Sequence, residues 1–131
     1  MKLKGEAEKF PGMYIFDSIM RRTFGRSVKL ISYCGPVQMC VFGMEYEYKP
    51  KNYKFKVECE RGAIQIEIYN ADGLIFCPWF VYPETRRVHY IDKGGDMEDL
   101  VQATYRAIKN EEIMFVNQEE WADMCRKIEF S

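Results

Sequence analysis

The stretch KFKVECERGAIQIEIY, residues 54–69, decides the fold. Phe55, Val57 and Cys59 alternate strictly with Lys54, Lys56, Glu58 and Glu60. After Arg61-Gly62, Ile64, Ile66 and Ile68 alternate with Gln65, Glu67 and Tyr69. Successive side chains of a strand point to opposite faces. A period of two therefore predicts an antiparallel hairpin with one apolar and one wet face, turning at Arg61-Gly62.

Upstream, the same period predicts further strands. Val28 to Cys34 reads as one, and Gly35-Pro36 as its turn. Val37, Met39 and Val41 alternate with polar or small residues, and beyond Gly43 the apolar set moves to Phe42, Met44, Tyr46 and Tyr48. A one-residue phase shift at a glycine predicts a β-bulge and a bent sheet; a helical turn around residues 36–42 is the competing reading. Before these strands the period is 3.6. Phe16, Ile19, Met20 and Phe24 define a helix over Asp17 to Phe24, ended by Gly25, with Arg21, Arg22 and Arg26 near its C-terminus, where cations suit the helix dipole. Residues 1–12, polar and containing Pro11-Gly12, read as a flexible arm.

Downstream, Asn70-Ala71-Asp72-Gly73 is a turn. Leu74 to Tyr82 is apolar but contains Pro78, which predicts an interrupted or edge strand. Glu84-Thr85-Arg86 is a turn and Arg87 to Ile91 a last short strand. Asp96 reads as the N-cap of a helix to about Asn110, with Met97, Leu100, Val101, Thr104, Tyr105 and Ile108 inward. Asn117 to Glu120 has capping-box spacing before a final helix that turns Trp121, Met124, Cys125 and Ile128 inward. The expected fold is α+β: one domain over residues 1–131, a bent antiparallel sheet of about six strands, mostly a meander, with one N-terminal and two C-terminal helices.

Composition narrows the function classes. The chain has 131 residues and a net charge of −1, so the strongly basic balance of a duplex nucleic-acid binder is missing. Residues 1–61 hold 12 Lys/Arg and 7 Asp/Glu, and residues 62–131 hold 7 and 13, so the halves carry +5 and −6. Five widely spaced cysteines form no zinc pattern and suit reduced, buried thiols. With no apolar leader and no bilayer-length apolar run, a cytoplasmic location without membrane partners is expected. Nucleotide-loop, nucleophile-elbow and metalloprotease motifs are missing, and His89 is the sole histidine, so no cofactor and no metal is implied.

The candidate site gathers near the last strands: Trp79, Tyr82, Arg86, Arg87, His89 and Tyr90. Strand alternation would put Arg87 and His89 on one face, where they would suit an anion. Cys77 or Glu84 with His89 would suit nucleophilic or acid–base chemistry, and the plainer reading is a solvated strand face. The Asp92–Asp96 loop is a poor phosphate cradle, because carboxylates flank its glycines. Tyr46, Tyr48, Tyr53, Tyr69, Tyr82 and Tyr90 suit a protein interface or simply the sheet. The expectation from these features is a non-catalytic protein-binding module, such as a small inhibitor or adaptor of phage or mobile-element type. It would bind another protein or a second copy of itself. The alternative is a protein that binds or sequesters a small nucleotide-like anion through Arg86, Arg87 and His89, and an enzyme is the third reading.

Overall fold

The computed structural model describes residues 1–78, 82 and 86–129. Four long strands form an antiparallel meander: β1 (Val28–Val37), β2 (Val41–Tyr48), β3 (Tyr53–Glu60) and β4 (Ala63–Tyr69). Two short strands share the far edge of β4. β5 (Ile75–Phe76) pairs with Ile68 and Tyr69, and β6 (His89–Tyr90) pairs with Ala63 and Ile64. Helices α1 (Glu6–Lys9) and α2 (Pro11–Phe24) precede the sheet; α3 (Asp96–Lys109) and α4 (Gln118–Glu129) follow it. The expected α+β sheet of about six strands, with an N-terminal helix and two C-terminal helices, is the fold observed.

The β3–β4 hairpin has the register its alternation requires. Phe55 faces Ile68, Val57 faces Ile66 and Cys59 faces Ile64, all buried. Arg61 and Gly62 both have positive φ, 54° and 83°, as the favoured two-residue hairpin turn demands. Each buried aliphatic side chain contributes about 1.5–3 kcal/mol relative to exposure. Phe42, Met44 and Tyr46 of β2 and Leu30 of β1 extend this inner face, which α2 covers with Met13, Phe16, Met20 and Phe24 and α3 with Leu100 and Val101. The Tyr46 hydroxyl, deep in the core, donates to Asp17 Oδ1 at 2.7 Å and fastens β2 to α2. Burial, reinforced by the Asp17 charge, holds that phenol neutral far above its usual range.

Six expectations need correction, the first being the buried thiols: Cys59 and Cys77 are buried, but Cys34 is exposed and Cys40 and Cys125 are half-buried. The arm is folded: Leu3 and Ala7 are buried, and the Lys4 amide donates to the Tyr33 hydroxyl. Helix α2 starts at Pro11, six residues before Asp17, because proline is well tolerated in a first helical turn, where its missing N–H costs nothing. Gly35-Pro36 lies inside β1 as a cis peptide, and the connection to β2 is a tight turn at Gln38–Cys40. The irregularity expected at Gly43 lies in β1, whose register slips between Leu30 and Ser32 and again between Cys34 and Val37. Gly43 itself pairs regularly with Cys34 and Glu58. Finally, Asp96 is no cap: Gly95 holds that position, and the Asp96 carboxylate is turned to Arg87.

The Leu74–Tyr82 apolar run supplies only the two residues of β5 as strand among those described. Val116, from the short apolar run before α4, forms a bridge with Ile75. Asn117 caps α4 as its spacing requires, accepting the Glu120 amide at 2.8 Å.

Candidate functional site

Four of the residues singled out near the last strands come together. Arg86, Arg87, His89 and Tyr90 line a cleft of about 770 Å³ between β6 and the edge of β4. Tyr82 lies elsewhere, with the Arg106 guanidinium 3.9 Å above its ring, so it packs toward the C-terminal end of α3. Trp79 and Glu84 lie outside the described residues.

Within the cleft, Arg87 and His89 do different work. Arg87 forms a two-pronged ion pair with Asp96, both contacts 2.9 Å, and reaches Asp99 at 3.4 Å. Asp96, only 2% exposed, also accepts the Tyr90 amide at 2.9 Å. The Arg87 guanidinium holds the Asp96 carboxyl down to about 2, with the Tyr90 amide assisting. This staple ties β6 to the start of α3. His89 pairs with Ile64, whose side chain belongs to the core, and is itself 3% exposed. Burial lowers its basicity, and the nearby Arg87 charge lowers it further. Its buried Nε2 meets no hydrogen-bond partner among the described residues. Arg61, Glu58 and Glu60 also border the cleft, so the carboxylates Glu58, Glu60 and Asp96 offset the guanidinium groups of Arg61, Arg86 and Arg87. The Arg87 charge is therefore matched by Asp96, and the surroundings do not form the concentrated positive field an anion site needs.

The Cys77 thiol, buried beside β5, donates to the Ile66 carbonyl at 3.1 Å. That contact occupies β4 between its pairings with β5 and β6.

A second region was not singled out from sequence. At the β1–β2 connection Val37, Met39 and Val41 are 62%, 65% and 37% exposed. Met39 and Cys40 both sit at positive φ, 62° and 58°, a conformation uncommon for residues with side chains. Behind this tip, on the polar outer face of the sheet, lies a cleft of about 430 Å³. Gly43 supplies part of its floor, and Cys34, Val41, Lys56 and Glu58 line its sides. The available signal was the run of apolar residues around Gly35-Pro36, which also reads as an ordinary buried strand.

The tyrosines are mostly committed to packing. Tyr46 is in the core, Tyr48 stacks on Phe55 and Tyr53, and Tyr53 meets Phe115 edge-on. Tyr14 and Tyr90 remain exposed.

No family model, curated protein or solved structure matches this chain. Among the described residues no helix is long and apolar enough to cross a membrane, and no His/Cys/Asp/Glu group is gathered to hold a metal.

Proposed function

We propose that this chain is a non-catalytic protein-binding module of the inhibitor or adaptor type, and that the β1–β2 tip is its contact surface. The observation that supports this reading most is the exposed apolar set Val37, Met39 and Val41. Exposed apolar side chains grouped in one place favour a partner, whereas single ones are ordinary. The tip is also a defined shape, because two paired strands joined by a tight turn hold it. Methionine adapts to an irregular partner surface, and a pre-formed loop loses little entropy on binding. Most of the tyrosines once eligible for an interface are used inside, which moves the contact toward this aliphatic tip.

The test is quantitative retention from lysate of the native host by the tagged chain and by a Val37→Ser, Met39→Ser, Val41→Ser variant. The reading expects one protein retained in near-stoichiometric amount by the unaltered chain and lost with the variant. Equal retention by both would defeat it.

A second reading keeps one specific support. The buried, partnerless Nε2 of His89 borders the 770 Å³ cleft and suits a small ligand that offers a hydrogen-bond donor. A small molecule released from the purified chain on denaturation, and lost with His89→Phe, would favour it.

A further inference from the structure

Gly43 lies on the outer face of the sheet, between Cys34 of β1 and Glu58 of β3. The two rows toward the far end of β2 are filled mainly by long polar side chains: Glu45 beside Lys56 and Glu67, and Glu47 beside Lys54 and Tyr69. At Gly43 the row has no side chain, and the 430 Å³ cleft opens there. Met44 and Val57 also line it, yet their side chains are buried in the core. They therefore present main chain to the cleft. Val41 and the exposed Cys34 form its apolar wall, continuous with the exposed tip at Val37 and Met39.

The rim has a definite sign. Glu45, Glu58 and Glu60 border the cleft against one ammonium, Lys56. Lys56 is already paired with Glu58 at 3.3 Å, and Glu45 has Lys54 at 3.8 Å. Glu60 is exposed and makes no ion pair among the described residues. On the same face Glu67 is shifted upward, chiefly by burial and further by the Glu58 charge.

We infer that this cleft receives an apolar side chain from an extended, basic segment of the partner protein, with that segment's lysines or arginines against Glu58 and Glu60. The inference rests on the protein-binding reading and adds the partner's chemistry to it. A hollow of this size accommodates a leucine or a valine. Complementary rim charge favours the basic sequence and rejects the acidic one.

The probe is a fluorescent peptide, Gly-Lys-Lys-Leu-Lys-Lys-Gly, compared with its glutamate-for-lysine and glycine-for-leucine counterparts. Binding is read by anisotropy, and occupancy by the rate at which iodoacetamide modifies Cys34, assigned by mass spectrometry. Gly43→Val fills the hollow. Its Cβ would stand 3.1 Å from the Cys34 sulfur, a side chain able to rotate aside, and valine suits a strand. Glu58→Lys with Glu60→Lys reverses the rim without filling it.

The basic leucine peptide should bind and slow Cys34 alkylation, and each variant should weaken it by about tenfold or more, as loss of an anchor does. Equal binding of the acidic peptide, or binding indifferent to Gly43→Val, would overturn the inference, as would no binding of any peptide. A host protein lost with the tip variant but retained by Gly43→Val would sink the cleft and leave the protein-binding reading standing. Loss of retention with neither variant would sink that reading itself. If Gly43→Val abolished a homodimer seen by sedimentation, the occupant would be a second copy and the inference would fail.

Discussion

The first and last hairpins of the meander, β1–β2 and β3–β4, contribute to one inner face yet differ in register and turn. In the β3–β4 hairpin the pairing runs without a break from Lys54–Tyr69 to Glu60–Ala63, and the turn is two residues, Arg61 and Gly62. Phe55, Val57, Cys59, Ile64, Ile66 and Ile68 all face inward. In the β1–β2 hairpin the register slips twice, the turn holds two side-chain-bearing residues, Met39 and Cys40, at positive φ, and Val37, Met39 and Val41 face solvent. Helices lie beneath both, α1 and α2 against β1 and α3 against β4. The β3–β4 hairpin satisfies its local preferences and works as scaffold. The β1–β2 hairpin departs from them at its tip, and such departures concentrate where a chain does something besides fold.

The comparison can be broken in four ways, in falling order of effect. Ile66→Ala, at the centre of the regular hairpin and fully buried, should cost about 2–5 kcal/mol by urea unfolding. A cost near zero would mean that this hairpin is not the scaffold. Tyr46→Phe should cost about 1.5–3 kcal/mol, since Asp17 loses a charge-assisted hydrogen bond at the base of the irregular hairpin. That result would locate its rigidity in the base.

The third test uses pH at the edge of β4. His89 is kept neutral by burial, so the unfolded chain takes up its proton first. Stability is then fully present above the ordinary value of 6.5 and falls as pH drops below it. Asp96 has its carboxyl lowered from 3.8 to about 2 by Arg87, so its contribution is present above 3.8 and is lost as pH falls toward 2. In unfolding midpoints measured against pH, His89→Gln should flatten the first limb and Asp96→Asn the second. The smallest effect is expected at the tip, where Val37→Ser with Met39→Ser should move stability by no more than about 0.5 kcal/mol. A larger change would show the tip to be part of the scaffold.

The two hairpins also mark what the sequence discloses. Strict alternation from Lys54 to Tyr69 dictates both faces and the register, and Asn117 announces its helix through a contact three residues away. These are local rules. Asp96 has the right identity and position for a cap, but its partner Arg87 lies nine residues back, and the stronger charged contact wins. Pro11-Gly12 resembles a break until the helix takes Pro11 into its first turn. Alternation also placed Arg87 and His89 on one face, yet Asp96 draws the Arg87 guanidinium to itself while His89 turns toward the core. The hollow at Gly43 depends on three strands in register, which no single stretch of sequence contains.

The most direct test of the contact surface sets one hairpin tip against the other. A photo-crosslinking amino acid is placed at Met39 in one version of the chain and at Arg61 in another, and each is irradiated in the native host. The account predicts one discrete crosslinked protein from position 39 and none from position 61. Equal crosslinking from both, or a product from position 61 alone, would contradict it.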